Sequence, residues 1–165
     1  MSLSFIKVPE YDLTLSNNNM VKYRPFLIKE EKILLMAVES KDEAEMNNAL
    51  VNIVQSCTLS KIDVTKLPVY DFEYLWLNIR GKSVGEQIDL KLKCPDDEKV
   101  SVDYSLKIED VKPDLNKKFE RKVEFDKDYG VIMKVPTIKH ISNKKTLLDL
   151  SYGLVRDCID QIYNG

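Results

Sequence analysis

The sequence predicts an α+β fold, helical in its first half and β-rich in its second. Three observations carry that expectation. Residues 42–57 place apolar side chains at helical spacing. Residues 87–106 alternate apolar and polar at period two. "SNNN" followed by "MVKYRPF" marks a turn and a returning strand ahead of the first helix. At 165 residues the chain can bury a sizeable core. The expectation is a single domain over 1–165, with room for a subdivision near residue 85.

The first ~24 residues read as extended, because Tyr11, Leu13 and Leu15 alternate behind the apolar points Phe5 and Val8. Asn17–Asn19 tolerate left-handed angles and suit the turn. Pro25 cannot donate to a ladder and should end the returning strand. In the next helix Ile33, Leu34, Ala37 and Val38 are expected to face inward. The "KEEK" segment, Lys29–Lys32, reads as a charged turn lying outside, with Glu30 and Glu31 near the positive helix end. A second helix follows, N-capped by Asp42, with Glu45 completing a capping-box-like pattern. Its stripe is Met46, Ala49, Leu50, Ile53, Val54 and Cys57. After a connector over 58–68, Pro68 suits the first turn of a third helix. Val69, Phe72, Leu75, Trp76 and Ile79 form one stripe there, while Tyr70, Tyr74 and Leu77 lie off it. A helix apolar around so much of its circumference should be central, and Gly81 or Gly85 should stop it.

The period then changes. "EQIDLKLKC" and "VSVDYSL" flank the turn "CPDDEK" and predict a hairpin. Pro113 keeps the following segment out of a central strand. "FERKVEF" and "YGVIMKVP" read as two more strands, and "TIKHISNKK" as a polar connector. From Thr146 the expectation is a closing C-terminal helix. Leu147, Leu150, Leu154, Cys158 and Ile162 stand in register there, weakened at Gly153.

Charge and motif content restrict the chemistry. The 25 basic and 27 acidic residues nearly cancel, which argues against generic nucleic-acid or anionic-membrane binding. No apolar run reaches the ~20 residues of a bilayer span. The N-terminal stretch lacks the pattern of a signal peptide, so a cytosolic site of synthesis and use is expected. Cys57, Cys94 and Cys158 are widely spaced and form no C-x-x-C pair, so free thiols are expected rather than disulfides or a metal site. The one histidine, His140, reads as a solvated loop residue. No zincin, nucleophile-elbow or P-loop pattern is present, and "GKSVG" (81–85) reads as a helix terminus. The acidic pairs Asp96–Asp97 and Glu30–Glu31 read as solvated. Tyr70, Phe72, Tyr74 and Trp76 suit core packing or a protein interface better than base stacking. Trp76 and Arg80, four residues apart, are types enriched at interface hot spots. No catalytic group, metal or cofactor is expected.

Two extended blocks, KYRPFLIKEEKILLMAVES (22–40) and KLPVYDFEYLWLNIRGKSVGEQIDLKLKCP (66–95), together with the amphipathic helix between them, resemble the baseplate hub family of contractile-tailed, T-even-like bacteriophages. Members typically show R-P-F-L-x-x-E-E-K-x-L-L-x-A, here Arg24–Ala37. They also show L-P-x-x-D-x-E-Y-L-x-L-x-I-R-x-K-S-x-G, here Leu67–Gly85. The likeness spans Pro9–Pro95 closely and the remainder loosely. It implies a structural or assembly protein of the tail without a catalytic constellation. The partners implied are other tail and baseplate hub proteins, with neither nucleic acid nor membrane insertion, and the oligomeric state stays open, a homo-oligomer set by tail symmetry being one option. The implied location is the virion baseplate, and the host cytoplasm during assembly. Arg24, Pro25, Phe26, Trp76, Arg80 and Lys82 are the candidate partner interface, with fold maintenance at the Arg24–Leu27 corner as the competing role. Relatives often carry a C-P-x-C turn where this chain has "CPDDEK", so no zinc knuckle is expected at Cys94. They also tend to continue past the last helix, which makes this chain a short member or one lacking a C-terminal part. Two rivals stay open. One is an assembly chaperone absent from the finished virion. The other is a nucleic-acid-binding accessory protein using the tyrosines with Lys117, Lys118, Arg121 and Lys122.

Overall fold

The computed structural model describes residues 7–97, 99–113, 120–142 and 149–164, and the fold is α+β. Phe5, Lys117, Lys118 and Leu147 lie outside the described residues. The chain opens with the expected hairpin, β1 (Tyr11–Thr14) antiparallel to β2 (Met20–Tyr23). Its turn is closed by the Asn18 N–H donating to the Leu15 carbonyl at 3.0 Å, with Asn18 at φ 62°. Asn is among the side chains that accept this left-handed geometry at little cost. Leu13, Leu15, Val21 and Tyr23 turn into the core.

α1 (Ile28–Ser40) and α2 (Glu43–Cys57) pack against one another. Asp42 caps α2 through Oδ1, which accepts from the Ala44 and Glu45 N–H groups. Along its stripe Ala49, Ile53, Val54 and Cys57 are buried. After α2 the chain runs beside β2. The Leu59 N–H donates to the Lys22 carbonyl at 2.8 Å and the Arg24 N–H to the Cys57 carbonyl at 2.9 Å. The hairpin is thereby tied to the end of α2.

α1 departs from expectation in two ways. "KEEK" is not an outlying turn, because the helix already starts at Ile28 and Glu30 is buried. The inward face is Glu30, Leu34 and Ala37, spaced four and three apart, whereas Ile33 and Val38 are exposed. The run Ile33–Val38 is apolar on every side, so periodicity alone did not fix which side turns inward.

α3 (Val69–Val84) lies centrally, with Phe72, Leu75 and Ile79 buried among residues of β1, β2 and α2. Of the two candidate stops, Gly81 is inside the helix and Gly85 ends it. A Cβ on Gly81 would meet Ile108 Cδ1 at 2.8 Å, so this glycine allows close approach of the 3-10 turn Ile108–Asp110. Gly85 sits at φ 152°, ψ 150°, a region essentially reserved for glycine. Nothing lies within 4 Å of the place a Cβ would take. Gly85→Ala is therefore expected to cost about 1–3 kcal/mol through backbone strain alone. Urea denaturation reads this as a lower midpoint at unchanged slope.

The second half holds the hairpin β3 (Gln87–Lys93) and β4 (Ser101–Lys107), then a sheet of β5 (Lys122–Glu124), β6 (Tyr129–Met133) and β7 (Ile159–Asn164), all antiparallel. A short helix, α4 (Ile138–Ser142), replaces the expected polar connector. His140 is accordingly half-buried rather than solvated, and its Nδ1 accepts from the Thr137 N–H at 3.1 Å. The Val69 N–H donates to the Pro136 carbonyl and the Ile138 N–H to the Leu67 carbonyl, joining this segment to the start of α3. The expected C-terminal helix is corrected. A π-helical turn (Asp149–Gly153) and α5 (Leu154–Asp157) end at Cys158, and Ile159–Asn164 pairs with β6. Ile159, Ile162 and Tyr163 favour strand, and β6 offers an edge that needs hydrogen bonds. Tertiary pairing outweighs the helical period. Tyr163 lies over Gly130, its register partner, where a side chain on residue 130 would collide with the ring.

Candidate interaction surfaces

The Arg24–Leu27 corner is built from the inside. The Arg24 side chain is only 13% exposed and that of Glu30 4%. Arg24 Nη2 meets Glu30 Oε1 at 3.0 Å and donates to the Ser56 carbonyl at 3.2 Å, while Nη1 donates to the Pro25 carbonyl at 2.9 Å. Glu30 Oε2 accepts the Leu27 N–H at 2.8 Å. This is one half of a capping box, since the Leu27 side chain has no acceptor for the other half. Burial pushes the Glu30 carboxyl up. The Arg24 hydrogen bond, the Leu27 N–H and the charges of Arg24 and Lys29 outweigh that and hold it below its ordinary value. Pro25 is buried. Phe26 stacks on Trp76 with ring centroids 6.1 Å apart, and its N–H donates to Ser83 Oγ at 2.9 Å.

The six candidate interface residues thus fall at different depths. Arg24 and Pro25 point inward and fasten β2, α1 and the end of α2. Phe26 and Trp76 are half-buried and joined to one another. Arg80 is half-buried, and its Nη1 has no hydrogen-bond partner. Lys82 pairs with Glu86 and lies 5.1 Å above the Tyr11 ring. Of the cations considered for nucleic acid, Arg121 bonds Asp160 and the Met133 carbonyl, and Lys122 pairs with Glu124 and lies over Tyr163. Among the proposed stacking rings Phe72 is buried and Tyr70 exposed.

Other chemistry-bearing groups serve the fold. Asp71 is fully buried, and its two carboxylate oxygens accept the Ser16 N–H at 2.9 Å and the Ser16 hydroxyl at 2.7 Å. Cys57 is also buried, and burial pushes its thiol up to about 11. It is a thiol, not a thiolate, at neutral pH. Of the three cysteines Cys57 and Cys158 are buried and Cys94 is partly accessible. A disulfide reagent at neutral pH is expected to modify Cys94 alone in the native protein and all three after denaturation, counted by intact mass. Fast native labelling of Cys57 would contradict the buried site. Among the described residues no group of three metal-ligating side chains occurs, and no helix is long and apolar enough to cross a membrane.

The surface features that sequence reasoning missed are apolar. On α1, Ile28 is 85% exposed, and Leu35, Met36, Ile33 and Val38 are also open. Where α1 meets α2 there is a groove of ≈ 310 Å³ lined by Ala37, Val38, Lys41, Asp42, Glu43, Met46 and Asn47. The β3–β4 hairpin exposes Leu90, Leu92, Val102 and Tyr104. The signal for the first was present in the sequence, since six consecutive apolar residues, Ile33–Val38, cannot all face one core. Clustered apolar exposure marks protein contact surfaces.

No curated protein and no solved structure gives a significant match to the chain. One family model, described as T4 bacteriophage base plate protein, matches residues 8–165. A match across nearly the whole length shows that the chain belongs to the T4 bacteriophage base plate protein family.

Proposed function

We propose that this baseplate protein is a structural subunit of the baseplate hub that takes part in hub assembly by contact, without catalysis. The observation that carries the reading is the exposed apolar surface of α1, with Ile28, Leu35 and Met36 outward, next to the α1–α2 groove. The partners are other hub proteins, met in the host cytoplasm and retained in the virion tail. Half-exposed Trp76 and its neighbour Arg80 extend the contact. The inward Arg24 and Pro25 keep α1 at the angle that presents it. Buried Cys57 accepts from Arg24 Nη1, buried Asp71 accepts from Ser16 and half-buried His140 accepts from the Thr137 N–H, which supports contact over chemistry.

The test is mass spectrometry of purified assembly intermediates and finished virions from infected cells producing a tagged copy. Presence in both is the expected result. Presence in intermediates alone would make the protein an assembly chaperone, and absence from both would remove the hub role. Ile28→Lys combined with Met36→Lys should leave the fold intact and abolish incorporation.

A further inference from the structure

Among the described residues the β3–β4 hairpin is a two-stranded sheet with no further strand on either edge. Such a sheet is marginal by itself in water. One face pairs Ile88 with Leu106, Leu90 with Tyr104 and Leu92 with Val102. Val102 is 63% exposed and Leu92 and Tyr104 50%. The other face carries Asp89, Lys91 and Lys93 opposite Ser105, Asp103 and Ser101.

The ladder's parity fixes which backbone groups are free. The Cys94 N–H donates to the Val100 carbonyl and the Ile108 N–H to the Glu86 carbonyl, each at 2.9 Å. Bonded pairs alternate with unbonded ones in an antiparallel ladder. Even-numbered residues of β3 therefore bond to β4. The N–H and C=O groups of Gln87, Asp89, Lys91 and Lys93 point to the outer edge.

We propose that this edge pairs antiparallel with the same edge of a second copy of the chain, about a two-fold axis at Leu90. In that register Asp89 faces the second copy's Lys91, and Lys91 its Asp89. Gln87 faces Lys93. On the apolar face Leu90 meets Leu90 and Ile88 meets Leu92. Each outward N–H finds a carbonyl, and all seven residues of β3 take part. Charge selects the register, since opposite charges across strands attract and like charges repel. Centring on Asp89 would set Asp89 against itself, and centring on Lys91 would do the same for Lys91. The β4 edge is a poorer seam. Its one register pairing Asp103 with Lys107 is centred on Ser105 and spans only residues 103–107, because the 3-10 turn begins at Ile108. The product is a four-stranded sheet ordered β4-β3-β3-β4 with one continuous apolar face, an isologous interface of the kind two-fold dimers use. The pairing does not depend on the hub assignment.

Sedimentation equilibrium of the full chain over a wide concentration range should give twice the monomer mass. Asp89→Lys alone and Lys91→Asp alone should each be monomeric, since each sets like charges across the seam. An equimolar mixture of the two variants should recover the dimer, because every facing pair is then opposite in sign. In a Cys94→Ser background, Leu90→Cys should crosslink to itself under mild oxidation, being its own unbonded neighbour at close Cα distance. Leu92→Cys, which faces Ile88, should not. Circular dichroism of each variant controls for folding. A wild-type monomer at all concentrations, or a dimer indifferent to both charge reversals, overturns the proposal.

Discussion

Arg24→Met is expected to lower the unfolding free energy by about 3–5 kcal/mol, because it leaves Glu30 as a buried carboxylate without its main partner. The side chain also anchors the Pro25 and Ser56 carbonyls, so α1 loses its attachment to β2 and α2 together. Lys29 approaches Glu30 at 3.4 Å but is 71% exposed and compensates only weakly. Acid response gives a second readout. In the wild type the Glu30 carboxyl is held below its ordinary value of 4.5. Its contribution to stability is fully present above that value and is lost as pH falls through the lower folded value. Without Arg24 only the Leu27 N–H and the exposed Lys29 oppose burial, so the carboxyl moves up from that lowered value. The variant's deficit therefore shrinks as the pH falls below 4.5 and Glu30 becomes neutral in both proteins. Arg24→Met with Glu30→Leu should regain most of the loss, since an apolar pair can replace a buried ion pair at little cost. Denaturant titration of the three variants at neutral and mildly acidic pH decides. A single-variant loss below about 1 kcal/mol would show the pair to be solvated rather than buried.

This corner also shows where the sequence was legible. The strand, the proline stop, the α2 cap and the α2 stripe all follow from local rules, and each is found. Burial of Glu30 does not follow from local rules, because it depends on Arg24 arriving from a different element. The reading at Ile159–Asn164 went wrong for a related reason. Leu154, Cys158 and Ile162 fit a helical period, yet strand formation there is decided by β6, some thirty residues earlier in the chain. Period two in β3 and β4 correctly signalled a hairpin, and its apolar face is largely open. Alternation records that a face is meant to be buried and does not say whether the cover comes from the same chain. For a member of a baseplate family, that uncovered face is the more informative outcome. The candidate interface was legible only in part. The motif residues that look most deliberate, Arg24 and Pro25, are internal, and the open apolar residues of α1 lie among ordinary-looking helix formers.

Asp71→Ala is expected to cost about 3 kcal/mol, the scale of two hydrogen bonds to a charged acceptor. Asp71 is the third residue of α3, where the N–H groups of the first turn and the helix dipole favour a negative charge. That location favours a buried carboxylate, and among the described residues no cation pairs with it. Its function is to hold the β1–β2 turn at Ser16, 55 residues away in sequence, against the central helix. Alanine would strand both the Ser16 N–H and its hydroxyl. Asp71→Asn keeps a carbonyl oxygen for the N–H, and the Ser16 hydroxyl can rotate to accept from the amide, so about half the loss should return. Ser16→Ala removes one of the two bonds and should cost about 1–2 kcal/mol. Because the two residues touch, their effects should not add. The double variant Ser16→Ala, Asp71→Asn should cost less than the sum of the single ones. Hydrogen exchange locates the damage, with protection lost first in β1 and β2 while α2 keeps its own, as expected of a local rather than global weakening. Additive losses, or equal loss of protection in α2, would mean that Asp71 acts within α3 and does not tie the hairpin to it.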